Sequence, residues 1–173
     1  MKQHWFLALL LLLGLTTHAQ ALWPRNSRTS KVEYIGTIPW PDTVRTDRQR
    51  KILVRRWYLA KLTDLTATEL TAWKSKPSTS LTYADLPGRS YYSVNSSEGQ
   101  CFRLRWCIKL SASPTALVYQ LIEFEYNWFD DDVSGSGPLE FLLSPDVLQK
   151  SSGEGRQMLR FMQQRLTTAI SRW

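Results

Sequence analysis

The chain has 173 residues, enough for one domain with a real hydrophobic core. Its 22 basic residues outnumber 15 acids, a formal net charge of +7. That excess either keeps the protein soluble or suits an anionic partner. Only two histidines and two cysteines are present, which leaves little for zinc or nucleophile–histidine chemistry.

In chain order, Lys2 and His4 give a short positive start, and Trp5 to Leu15 is a continuous apolar run. Ala19-Gln20-Ala21 then supplies the small residues a signal peptidase reads. The run falls short of the roughly 20 residues a membrane-spanning helix needs. An uncleaved N-terminal anchor is the alternative. The sequence thus predicts a signal peptide over 1–21, a flexible lead-in over 22–30 and a single domain over 31–173. It predicts a periplasmic or secreted protein with no transmembrane segment in its mature chain. Cleavage removes His4, His18 and Lys2, leaving 21 basic residues against 15 acids. For an exported protein, an anionic envelope component ranks ahead of nucleic acid as the matching partner.

Val32 to Ile38 has strand composition, with Gly36 marking a bulge and Pro39-Trp40-Pro41 ending it. Thr46 followed by Gln49 resembles a capping box. The helix it opens carries Leu53, Val54, Trp57, Tyr58 and Leu62 at helical spacing, opposite a basic face with Arg48, Arg55 and Lys61. Such a face lies on a membrane in some proteins and is simply solvated in others. Thr66 and Glu69 predict a second short helix through Trp73. Leu81 to Tyr83 reads as a short strand, Pro87-Gly88 as a turn, and Arg89 to Asn95 as a further strand. Asn95-Ser96-Ser97 forms a sequon that a tight turn also explains.

The stretch 100–128 carries the strongest pattern. Phe102, Leu104, Trp106, Ile108 and Leu110 alternate with Arg103, Arg105 and Lys109, the mark of a half-buried strand. After a loop centred near Ser113, Val118, Ile122, Phe124, Tyr126 and Trp128 predict a second strand with an even apolar face. That register sets Arg103 about opposite Glu123. Cys101 and Cys107 lie six residues apart on one strand, about 20 Å, too far for a disulfide. Leu139 to Leu143 reads as a last edge strand. Ser144-Pro145-Asp146 starts a helix that Gly153 and Gly155 interrupt, and Met158, Phe161, Met162, Leu166, Ala169, Ile170 and Trp173 complete an amphipathic stripe.

The predicted fold class is α+β: an antiparallel meander of four to six strands with N-terminal and C-terminal helices on one face. This layout, with the aromatic pair Trp57-Tyr58 in the first helix and alternating strands at 101–110 and 117–128, resembles a family of exported bacterial proteins of unknown function. The resemblance implies a TATA-binding-protein-like domain, with helices on one side of a curved sheet. It implies no catalytic residues.

Three constellations bear on chemistry. Glu123 and Glu125 stand about 7 Å apart on one face, a spacing that overlaps inverting glycosidases. Cross-strand pairing with Arg103 and Arg105 is the ordinary account of them and ranks ahead. Asp130, Asp132, Ser134 and Gly135 match the opening of a calcium loop, yet position 12 is Phe141 and Glu140 falls one residue early. A solvated acidic turn is the alternative. Trp40, Trp57, Trp73, Trp106, Trp128 and Trp173 are many for one domain. Trp57, Trp106 and Trp173 are assigned to the core, and Trp40 and Trp128, at element ends, to the rim of a ligand pocket. Arg103 and Arg105 are the candidates for an anionic group. No catalytic residue and no cofactor is predicted. The expected function is a non-enzymatic binding or interaction module for an apolar small molecule or an anionic envelope component. A carboxylate-dependent hydrolase using Glu123 and Glu125 is the alternative.

Overall fold

The computed structural model describes residues 23–63, 82–95, 100–129 and 134–173. The expected signal peptide, the short helix after Thr66 and the acidic residues Asp130 and Asp132 lie outside them. The described elements run β1 (Tyr34–Pro39), α1 (Asp47–Lys61), β2 (Tyr83–Asn95), β3 (Gln100–Ala112), β4 (Ala116–Phe129), β5 (Ser134–Pro138), α2 (Leu139–Leu142), α3 (Pro145–Lys150) and α4 (Gly153–Ile170). The fold is α+β, an antiparallel sheet with helices. Strand order is β1-β4-β3-β2, and β5 also pairs with β4. β1 takes Ala116 to Leu121 and β5 takes Glu125 to Phe129, so the two share one edge of β4 in tandem.

Alternation in β3 puts Phe102, Leu104, Trp106, Ile108 and Leu110 in the core. Arg103, Arg105 and Lys109 stay outside it. β4 departs from the predicted pattern. Leu117, Tyr119 and Leu121 are buried, and then Phe124. The phase changes because the β3–β4 register slips by one residue between Arg105 and Cys107. Glu123 there has φ 57°, a left-handed conformation that lets β4 carry one extra residue. The bulge also corrects the expected pairing: Arg103 stands opposite Asn127, and Arg105 opposite Glu125.

Four further readings change. β2 is one strand that runs through Pro87 and Gly88 without turning. It tolerates proline because it is the last strand in the sheet order, where one side needs no ladder bond. Gly36 marks no bulge, since β1 keeps an unbroken register with β4; its bareness makes room for the Tyr119 ring. Leu139 to Leu142 is helical, and the edge strand is instead the Ser-Gly-rich segment before it. Gly153 and Gly155 do not interrupt a helix but begin α4: the Ser152 hydroxyl accepts from Gly155 N–H at 3.2 Å as its N-cap.

The helices close one face of the sheet. The capping box of α1 forms as predicted: Thr46 Oγ1 accepts from Gln49 N–H at 3.3 Å, and Gln49 Oε1 accepts from Thr46 N–H at 3.0 Å. Val54, Trp57 and Tyr58 on its inner stripe are buried. Trp57 Nε1 donates to Ala169 O of α4 at 2.9 Å, tying the two long helices together. The Tyr58 hydroxyl donates to Pro87 O, so α1 also grips β2.

The basic segment before β1 is held to the domain. Trp23 is buried, and its ring meets Tyr34 and Phe124 at 6.1 and 6.0 Å. Arg25 forms a bridge with Val32, and Val32 N–H donates to the Glu140 carboxylate at 2.6 Å. Gln120 and Asn26 amides both donate to Glu33 and hold its carboxyl below the usual range.

Candidate functional site

At the far end of the sheet from the β3–β4 turn, the strand ends and the last helices leave a cavity of about 290 Å³. The sheet supplies Phe102 from β3 and Tyr126 and Trp128 from β4. Phe102 and Trp128 are cross-strand partners, so alternation alone delivers both rings to one side. Phe102 and Tyr126 stack, with ring centroids 6.2 Å apart and planes 3° apart. Leu142 of α2, Met158 and Leu159 of α4, and Gly155 close the other walls. The remaining lining residue, Ser151, already donates its hydroxyl to Val147 O at 2.7 Å.

This chemistry suits binding. Among the described residues the lining holds no carboxylate, imidazole, amine or thiol. Its aromatic and thioether surfaces favour an apolar guest through area burial and dispersion. Met158 adds a side chain that adapts to irregular shapes.

The residues singled out in the sequence do not converge on this cavity. Trp128 lines it. Trp40 lies elsewhere, stacked on Trp173 at 5.2 Å, with the Arg50 guanidinium 5.5 Å from its ring and its Nε1 donating to Ser113 O at 2.9 Å. These contacts make it an end-cap of the core. Arg103 and Arg105 lie on the opposite face of the sheet. Arg103 sits between Tyr91 and Phe129, 4.9 and 5.0 Å from their rings. Arg105 pairs with Glu125 at 3.3 Å, both exposed. Glu123, displaced into the bulge, has no part in the cavity. Ser134 opens β5 opposite Phe129. Among the described residues no cluster of three metal-ligating side chains occurs. Cys101 and Cys107 are not joined by a disulfide.

Sequence reasoning missed the helical side of the cavity. Met158 belongs to the predicted α4 stripe, which marks it as core without showing where the core stops, and Leu159 beside it falls outside that stripe. Leu142 falls in the predicted edge strand, which the fold makes helical.

Neither a family model nor a curated protein matches the chain. In structure the chain is similar to a DUF4468 family protein from Bacteroides ovatus, with a TM-score of 0.46 and 11% sequence identity. The likeness covers 87% of this chain and 91% of that one. No helix among the described residues is long and apolar enough to cross a membrane.

Proposed function

We propose that this is an exported, non-enzymatic binding protein that holds an apolar small molecule between its sheet and its C-terminal helix. The observation that carries the reading is the cavity of about 290 Å³ walled by Phe102, Tyr126, Trp128, Leu142, Met158 and Leu159. Export rests on the apolar run Trp5 to Leu15 and the Ala19-Gln20-Ala21 motif. A TATA-binding-protein-like domain fits the same helix-on-sheet layout. Native mass spectrometry of protein purified from its own host tests the reading. A co-purifying apolar molecule, lost in Met158→Trp where the bulkier side chain fills the cavity, is expected. A clean apo mass in the unaltered protein counts against it.

One observation favours a second reading. Arg48, Ile52, Arg55 and Arg56 are exposed along the outer side of α1, with Ile52 at 52% exposure. A basic face around an apolar side chain suits an anionic envelope surface. Cosedimentation with anionic vesicles that weakens with salt supports it; binding equal to that with neutral vesicles removes it. The hydrolase alternative draws nothing from the cavity, whose walls exclude Glu123 and Glu125.

A further inference from the structure

We infer that a second, smaller cavity, between β2, the end of α1 and α4, is a binding site for a small inorganic anion of halide size. It lies one helical turn beyond the apolar cavity along α4, at Met162 where the first is lined by Met158. Its volume is about 10 Å³, room for a single water-sized particle. Besides Arg89, whose Nε is also without one, two lining residues bury a polar atom that has no hydrogen-bond partner. They are Trp106 Nε1, in a residue 6% exposed, and Ser90 Oγ, in a residue 7% exposed.

The chemistry of these atoms selects the occupant. An indole N–H only donates, so whatever meets Trp106 must accept. A serine hydroxyl can rotate to donate to the same particle. Three basic residues, Lys61, Arg89 and Arg165, line the cavity, and among the described residues no acid does. Their charge sets a positive potential that repels cations and favours an anion over a neutral acceptor. Lys61 Nζ donates to Arg172 O at 3.0 Å, which fixes its charge near the mouth. Gly88 keeps the indole where it is, because any Cβ at that position would overlap the pyrrole edge. A buried donor with no acceptor is costly, and the anion removes that cost for both groups at once.

Thermal melting of the full mature chain in sodium chloride and in sodium gluconate, at matched ionic strength, tests the proposal. Chloride should raise the melting temperature saturably by about 2–4 °C, as binding to the folded state alone requires. Trp106→Phe keeps the ring and removes the N–H, and should abolish the rise. Ser90→Ala should weaken it, and serves alone if the tryptophan variant does not fold. A crystal grown in bromide should show an anomalous peak beside Trp106 Nε1. Equal melting in the two salts overturns the proposal, bromide peak or not, because the site then holds water or an adventitious ion only. A chloride-dependent rise that survives the substitutions overturns it as well.

Discussion

The indole of Trp106 rests against the bare Cα of Gly88, its direct cross-strand partner in the β2–β3 pair. The contact is with the ring itself, and the ring is held from behind by Phe124, stacked at 5.9 Å. Neither residue can retreat. Gly88→Ala should therefore cost about 1–3 kcal/mol through overpacking. Gly36→Ala should cost less, since its Cβ would meet the hydroxyl end of Tyr119, which can swing aside. Urea titration of both variants measures the difference. Equal midpoints would show that the Trp106 ring is free to shift.

The two faces of the sheet differ in what they contribute. Phe124 is buried at 2% exposure among Trp23, Tyr34 and Trp106. Phe124→Ala should cost about 3–5 kcal/mol. The Arg105–Glu125 pair is screened by solvent, and Arg105→Ala should cost under about 1 kcal/mol. Similar losses in denaturant titrations would mean that the assignment of inner and outer face is reversed.

Helix α1 begins on a two-way cap, so Thr46→Ala removes an acceptor for Gln49 N–H and unseats the return bond from Gln49. The expected loss is about 1 kcal/mol. Thr46→Ser should recover most of it. Failure of serine to rescue would assign the loss to the threonine methyl instead of the cap.

Burial pushes the Tyr34 and Tyr58 hydroxyls up to about 12, from an ordinary value of 10. The folded state thus favours the neutral phenols. Their contribution is complete below about pH 10 and is lost as pH rises from there through about 12. Stability should stay level near neutrality with respect to these groups and fall in strong alkali. Tyr58→Phe should flatten that alkaline decline while lowering stability at neutral pH through loss of the bond to Pro87 O. An unchanged alkaline slope in both Tyr34→Phe and Tyr58→Phe would contradict the assignment.

Much of the sheet is legible in the residues, and the exceptions have physical causes. β3 reads correctly because its alternation is unbroken from Phe102 to Leu110. β4 misleads at Val118 because Leu117, Tyr119 and Leu121 are also apolar, and only the bulge at Glu123 decides which set faces inward. Glutamate carries no mark of a left-handed conformation, which tertiary pairing imposes here. β5 is invisible to hydrophobic pattern: Ser134-Gly-Ser-Gly-Pro pairs through backbone bonds alone. Trp23 is overlooked because its neighbours are polar and basic, although a lone tryptophan in such company is a signal of an anchor. The cavity is the least legible feature, since its walls come from separate chain segments between Phe102 and Leu159.

The position of β2 at the end of the strand order has a consequence for self-association. An open, regular strand edge is a template on which another chain can extend the sheet and seed fibrils. Here the edge is spoiled at several points. The ladder is irregular between Tyr83 and Leu86, and Pro87 offers no N–H. Arg89 N–H is taken by Leu62 O at 3.3 Å, where Thr63 forms a parallel bridge. An incoming strand would have to strip the chain that leaves α1 from the sheet before it could dock. The short step from Leu62 to Thr63 therefore guards the protein against polymerisation along β2.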